Sequence, residues 1–347
     1  MSARGTTETT TIEGDVVTST PAGEPVAAAT AATSSATTGR TDGGRRRRIS
    51  PAIDQSARNV LVGAILVLVG GIMWGSNATV SKILMEHYGA QPMWIACIRE
   101  LFAGMLFLLV AGTRSPRQLA GAVRERRSWP WFVLCAIGCV LAGQVAYLSS
   151  INWTNAGTAT VLQTLNLLVV LLYVCIHDRR LPGRRESAGV ALAFVGTVLI
   201  ATGGDLTTLK LPMMGLFWGL INATATGFLS ILPAKLIAKW GNMTVSGLMF
   251  LISGLVLLPI VRPWSGAPAF DAFGFALMTY TVVFGTFGAY GLFMAGVMRV
   301  GAMRATMLGT SEPIAATVTA VLFTGAVFAP TDLIGFAMII VMVFLVH

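Results

Sequence analysis

Gly71-Ile72-Met73-Trp74-Gly75-Ser76-Asn77-Ala78-Thr79 decides the reading of this chain, because it is written again at Gly215-Leu216-Phe217-Trp218-Gly219-Leu220-Ile221-Asn222-Ala223-Thr224. Shifted by 144 residues, Gly71, Trp74 and Gly75 fall on Gly215, Trp218 and Gly219, and one residue further Asn77-Ala78-Thr79 returns as Asn222-Ala223-Thr224. Toward the end of each half a shift of 146 carries Ala159, Thr160, Leu162, Thr164, Gly189 and Ala191 onto Ala305, Thr306, Leu308, Thr310, Gly335 and Ala337. Single matches among such common residues mean little. A nearly constant shift across both ends of a half marks an internal repeat.

Around these matches the chain is strongly apolar. Hydrophobic residues make up 54% of the 347 and charged residues only 11%, too few to cover a soluble surface; the mean hydropathy is +0.73. Apolar segments predict ten transmembrane helices. They lie near Val60–Leu84, Met93–Val110, Trp129–Ser150, Ala156–Ile176 and Ala188–Thr202, then Met213–Ile237, Val245–Val261, Phe273–Val297, Ala305–Phe328 and Leu333–Val346. The fifth and tenth, at 15 and 14 residues, are short for a span of roughly 20. Five spans per half is an odd number, so the second half enters the membrane from the opposite side. The expected fold is an all-α membrane protein of two inverted five-helix repeats, 60–203 and 204–347, behind a disordered tail, 1–59.

The net charge of +9 could suggest a nucleic-acid partner, but its placement argues otherwise. Arg45, Arg46, Arg47, Arg48 and Arg58 precede the first span, and Arg114, Arg117, Arg124, Arg126 and Arg127 lie between the second and third. Arg179, Arg180, Arg184, Arg185, Lys235, Lys239, Arg299 and Arg304 fall in later loops on the same side; the opposite loops carry only Lys210 and Arg262. By the positive-inside rule both termini are expected in the cytoplasm. The basic run Arg45–Arg48 then reads as an anchor on anionic headgroups. The excess of Arg over Lys has the look of a GC-rich bacterial genome, so the expected location is a bacterial cytoplasmic membrane.

The five-plus-five repeat, the Trp74-Gly75-Ser76-Asn77 turn, Lys82, the Ile98-Arg99 pair and Gly309-Thr310-Ser311-Glu312-Pro313 together resemble the EamA-like branch of the drug/metabolite transporter superfamily. The likeness covers residues 60–347. It departs at Asn166-Leu167, which stand where the second half has Glu312-Pro313, and at Gly325-Ala326-Val327, where an acidic residue is often found in that family. The resemblance implies a central cavity lined by spans one to four and six to nine. It does not fix a substrate, since members move amino acids, other metabolites, drugs and sugars.

Polar residues inside apolar spans are the candidates for that cavity, because an ionisable group near the bilayer centre costs about 2.5–3.5 kcal/mol on insertion scales. Glu312 is the deepest, and Pro313 beside it removes a backbone donor. Its carboxylate is suited to a substrate amine or a proton; the alternative is a permanent pair with Arg99. Arg99 and Glu100 are helical neighbours some 100° apart, so one is expected toward the cavity and the other toward a neighbouring helix. Lys82 either reaches the cavity or snorkels to the interface. Trp74, Asn77 and Ser81 share one face of span one, and Trp218 and Asn222 repeat the pairing in span six. Span four carries Thr160, Gln163 and Asn166, span three Tyr147, span eight Tyr290, and Thr310 precedes Glu312. Each alone could be an interhelical hydrogen bond; converging from both halves, they point to a substrate cavity.

Other functions fit less well. No Walker motif appears, and the three His, at 87, 177 and 347, form no zinc-protease pattern. No cofactor-binding, metal-binding or catalytic constellation is visible, and the four Cys all fall within apolar spans. The expected activity is secondary transport of an amino acid or related small metabolite, or of an amphipathic drug-like solute. Its coupling is open between protons, a counter-substrate and neither. A sugar or nucleotide-sugar permease of the same fold is the nearest alternative, with a channel or membrane enzyme behind it. The partners expected are a small-molecule substrate and the lipid bilayer, with no nucleic acid.

Overall fold

The computed structural model describes residues 51–205 and 207–346, which are helical and joined by short turns. The tail expected over residues 1–50, with its basic run, lies outside the described residues. The helices are α1 (Pro51–Tyr88), α2 (Pro92–Arg114), α3 (Pro116–Arg124) and α4 (Trp129–Cys135); α4 runs through a π-helical stretch, Ala136–Leu141, into α5 (Ala142–Trp153). The repeat continues with α6 (Ala156–Gln163), α7 (Asn166–His177) and α8 (Arg184–Thr202). In the second repeat come α9 (Met213–Ile231), α10 (Ala234–Trp240), α11 (Asn242–Val261) and α12 (Ala272–Thr279), which passes through π-helical Tyr280–Gly288 into α13 (Ala289–Val300). Last are α14 (Ala302–Leu308), α15 (Ser311–Thr324) and α16 (Pro330–Val346).

Among the described residues, eight helical stretches are long and apolar enough to cross a membrane, and α16 is a shorter apolar helix of 17 residues. The expected fifth span grows from 15 residues to the 19 of α8, because Glu186 accepts the Gly183 N–H at 2.6 Å and starts the helix earlier. The expected sixth span stops at Ile231, before Pro233. The expected ninth is two helices, α14 and α15, and ends at Thr324, not Phe328, because Gly325 takes a left-handed φ of 65°. Pro330 opens α16 at its first position, three residues ahead of the expected start.

The irregularities recur at matching places in the two repeats. The π-helical stretches begin at Ala136 and Tyr280, and the breaks α6/α7 and α14/α15 fall at Thr164 and Thr310. At each break the backbone tightens to i→i+3 bonds, Thr164 N to Val161 O at 3.0 Å and Glu312 N to Gly309 O at 3.0 Å. Each Thr hydroxyl also donates to a carbonyl in the preceding turn, competing with the helical ladder. Pro313 therefore does not account for the break by itself, since the first repeat breaks without a proline.

Packing follows the same pseudo-symmetry. Helix α2 lies along α11 and α8 along α16, while α1 packs on α13 and α15 as α9 packs on α5 and α7. The α2–α11 crossing is reciprocal: a methyl on Gly104 would collide with Leu251, and one on Gly247 with Leu108. Small residues let the two backbones approach in this way. A buried core of Leu84, Ile95, Leu148, Ile151, Leu257 and Ala316 fills the end of the bundle opposite the arginine-rich loops.

Candidate functional site

A cavity of about 970 Å³ lies between the repeats and is lined by Trp74, Asn77, Arg99, Tyr147, Gln163, Asn166, Asn222, Tyr290, Thr310 and Glu312. It extends past Ser115, Gln118, Gly241 and Asn242, which are the helix ends beside the arginine-rich loops, so it opens on that basic face. The opposite face is closed. Tyr88 Oη donates to Asp271 Oδ1 at 2.6 Å, and Trp94 Nε1 donates to the Pro263 carbonyl at 3.2 Å. Each of these contacts joins one repeat to the other above the apolar core. Asp271 lies outside the spans, and Tyr88, then the Gly274 N–H, hold its carboxyl below the ordinary range.

Ten of the thirteen residues singled out from sequence line this cavity; Ser81, Lys82 and Trp218 do not. Ser81 is fully buried and donates to the Asn77 carbonyl of its own helix at 2.9 Å. Lys82 turns to the closed end, where its ammonium donates to the Asn152 carbonyl at 3.0 Å and pairs with Glu86 at 3.2 Å. Trp218 packs edge-on to Phe217. Ser81 and Trp218 share helix faces with Asn77 and Asn222, but those faces run on beyond the cavity.

A directional hydrogen-bond chain ties three helices together. Thr226 Oγ1 donates to Asn222 Oδ1 at 3.1 Å, Asn222 Nδ2 to Gln163 Oε1 at 3.1 Å, and Gln163 Nε2 to Glu312 Oε1 at 3.3 Å. Glu312 sits in the first turn of α15, against the positive end of that half-helix. Asn166 holds the matching first-turn place on α7. Among the described residues Glu312 makes no ion pair, so the pairing with Arg99 weighed from sequence is not formed.

Arg99 instead donates to Gln144, and its Nε has no partner among the described residues. Glu100 points away, fully buried on α11, where it accepts the Ser253 hydroxyl. The two neighbours thus divide between cavity and interface, as their helical angle requires. Asn77 donates to the Gly285 carbonyl at 3.4 Å and leaves its own Oδ1 unpartnered at the cavity wall. That contact needs glycine at 285, since a Cβ there would overlap the Asn77 amide. Tyr147 shares a 2.9 Å hydrogen bond with Thr160. Tyr290 donates to Asn242 and meets Ser246 at 2.9 Å. The apolar wall is aromatic, with Trp74 against Phe293 at 4.9 Å and Phe107 against Tyr290 at 5.2 Å between centroids.

Sequence reasoning missed Gln144, Thr226, Asn242 and Ser246. Gln144 lies three residues before Tyr147, and Thr226 four after Asn222; extending each polar stripe by one turn would have found both. The site so assembled offers, among the described residues, a guanidinium and a carboxylate that form no ion pair, with an aromatic wall, in one chamber. Its volume suits a small molecule.

The profile of the EamA-like transporter family matches residues 61–202 and again 213–347. The uncharacterized inner membrane transporter YicL of Salmonella typhimurium is 28% identical, over 82% of this chain and 94% of its own. The uncharacterized transporter YwfM of Bacillus subtilis is 24% identical, over 79% and 90%. A crystal structure at 16% identity aligns over 83% of this chain and 96% of its own with a TM-score of 0.54, a likeness of fold.

Proposed function

The chain belongs to the EamA-like transporter family, and from that membership we propose that it is a secondary carrier working by alternating access, here with its cavity open to the cytoplasm. It is a multi-pass membrane protein. In this reading α14–α15 and α16 complete ten spans, the halves are 60–203 and 204–347, and both termini and the basic face are cytoplasmic, in a bacterial cytoplasmic membrane. The observation that carries the proposal is a cavity contributed by both repeats, reaching one face and sealed at the other by Tyr88–Asp271, Trp94–Pro263 and an apolar core. A channel would need a path through both faces.

The separated charges favour a small zwitterion, an amino acid or relative, as the substrate. Arg99 holds its carboxylate, Glu312 with Asn77 Oδ1 its ammonium, and the aromatic wall its body. When the site is empty, Glu312 is the residue to take up a proton in exchange, its charge compensated among the described residues by Gln163 and the α15 terminus.

Purified full-length protein in liposomes preloaded with a candidate amino acid tests this by counterflow. Trans-accelerated uptake is expected, and linear uptake unaffected by preloading argues for a channel. Glu312→Gln is expected to abolish proton-driven uptake and to weaken exchange by loosening the hold on the ammonium; uptake still driven by a pH gradient removes Glu312 from the coupling.

A further inference from the structure

A second cavity, about 780 Å³, opens on the outer flank of the bundle, away from the substrate chamber. Its walls are Phe102, Met105 and Leu109 on α2 facing Phe275, Met278 and Val283 on α12 and the π-helical stretch. Shifted by 143 residues, as Gly104 is onto Gly247, Phe102, Met105 and Leu109 of α2 fall on Val245, Leu248 and Ile252 of α11, and α12 has its counterpart in α4. Those α11 residues pack in an apolar core with Phe132 and Cys135 of α4. Of the two pseudo-symmetric pairs that join the repeats, α2–α12 is therefore open and α11–α4 shut. Phe102 and Met105 are 51% and 46% exposed, whereas their counterparts Val245 and Leu248 are 0% and 6%.

The groove is apolar and lies along two membrane-spanning stretches, so a chain of the surrounding lipid is what can reach it. Its rim supplies a headgroup contact. Trp94, which lines the groove, donates to the carbonyl of Pro263, next to Arg262. The Arg262 side chain is exposed and makes no hydrogen bond or ion pair among the described residues, while the nearby acid Asp271 is occupied by Tyr88 and the Gly274 N–H. Trp264, 70% exposed, stands beside it as an interfacial ring.

We propose that this groove is a binding site for one anionic glycerophospholipid, with an acyl chain between α2 and α12 and the phosphate on Arg262, and that it exists only while the substrate cavity opens to the basic face. The second clause rests on the alternating-access reading. Exchange of conformations between inverted repeats closes the α2–α12 pair as α11–α4 is closed now, and expels the chain. The coupling element is the π-helical stretch, where Val282 and Val283 line the groove while Gly285 and Thr286 line the substrate cavity. Bound lipid thus holds the carrier open toward the basic face.

The test is native mass spectrometry of delipidated full-length protein titrated with phosphatidylglycerol, joined to spin-label distances between Phe102→Cys and Phe275→Cys in a cysteine-free background. One tightly held lipid per chain is expected. Met105→Trp, which fills the groove, is expected to lose it, and the surface change Arg262→Gln to weaken it about fivefold. The spin distance is expected in two components, the longer growing as phosphatidylglycerol is added. Lipid binding unchanged in both variants, or a distance indifferent to lipid, overturns the proposal. Lipid binding that responds to the variants in a protein without counterflow overturns the carrier reading and leaves the lipid site standing.

Discussion

Gln163 is the hinge of the polar site, because among the described residues it joins Glu312 to Asn222. Replacing it with Leu leaves a carboxylate and an amide without those partners, which costs about 1–3 kcal/mol. A lowered unfolding temperature and lost uptake are expected; an unchanged temperature means the chain does not form. Gly285→Ala is expected to cost a similar amount, about 1–3 kcal/mol by overpacking against Asn77, and Asn77→Ala in the same chain to restore part of it. The Tyr88–Asp271 bond carries a pH dependence of definite sign. A carboxyl held low when folded contributes in full above its unfolded value of about 3.9, and that contribution disappears as pH falls through the lower folded value. The unfolding temperature of Tyr88→Phe is therefore expected to lie below that of the unaltered protein at about pH 6 and to converge with it on acidification toward about pH 3. A gap that widens in acid would contradict this. The identity of these residues was legible in sequence, since a Gln, Asn or Glu among Val and Leu is costly and so conspicuous. Their partners were not, because a side chain's bond depends on which distant helix crosses at its depth.

At the scale of elements, the broken helices bring the first turns of α7 and α15 to the cavity wall, with Asn166 and Glu312 at their starts. Pro313 was the sequence signal for the second break, and nothing comparable marks the first. Both share a Thr whose hydroxyl bonds back to the preceding turn. Pro313→Ala is accordingly expected to leave the break in place, with backbone amides from Gly309 to Ser311 still exchanging faster than those inside α15. Strong protection there would make the proline the cause. The π-helical stretches had no periodic signature, since each is one extra residue absorbed inside a long apolar run.

For the whole molecule, the pseudo-symmetry makes a quantitative demand. Gly104 and Gly247 occupy the same place in the α2–α11 crossing, each against a Leu of the other helix. Gly104→Val and Gly247→Val are expected to lower stability by nearly equal amounts, about 1–3 kcal/mol each, measured as loss of unfolding temperature in detergent. A clear inequality would show that the crossing is not symmetric in energy. The symmetry is broken elsewhere, at the flank where α11–α4 is packed and α2–α12 is open.

Composition, the repeat and the polar stripes were enough to determine an all-helical membrane protein with two related halves and to pick out ten of the residues that line its cavity. These are properties of single helices: apolar length selects what enters the membrane, and a 3.6-residue period selects a face. The tertiary structure alone decided that Lys82 turns away to the closed end, that Arg99 bonds Gln144 and not Glu312, and that the chamber opens on the basic face. It also decided that two equivalent helix pairs adopt different closures. Two halves of one fold can each adopt either closure, so the choice between them lies in how the halves pack against each other and not in the pattern of either half alone.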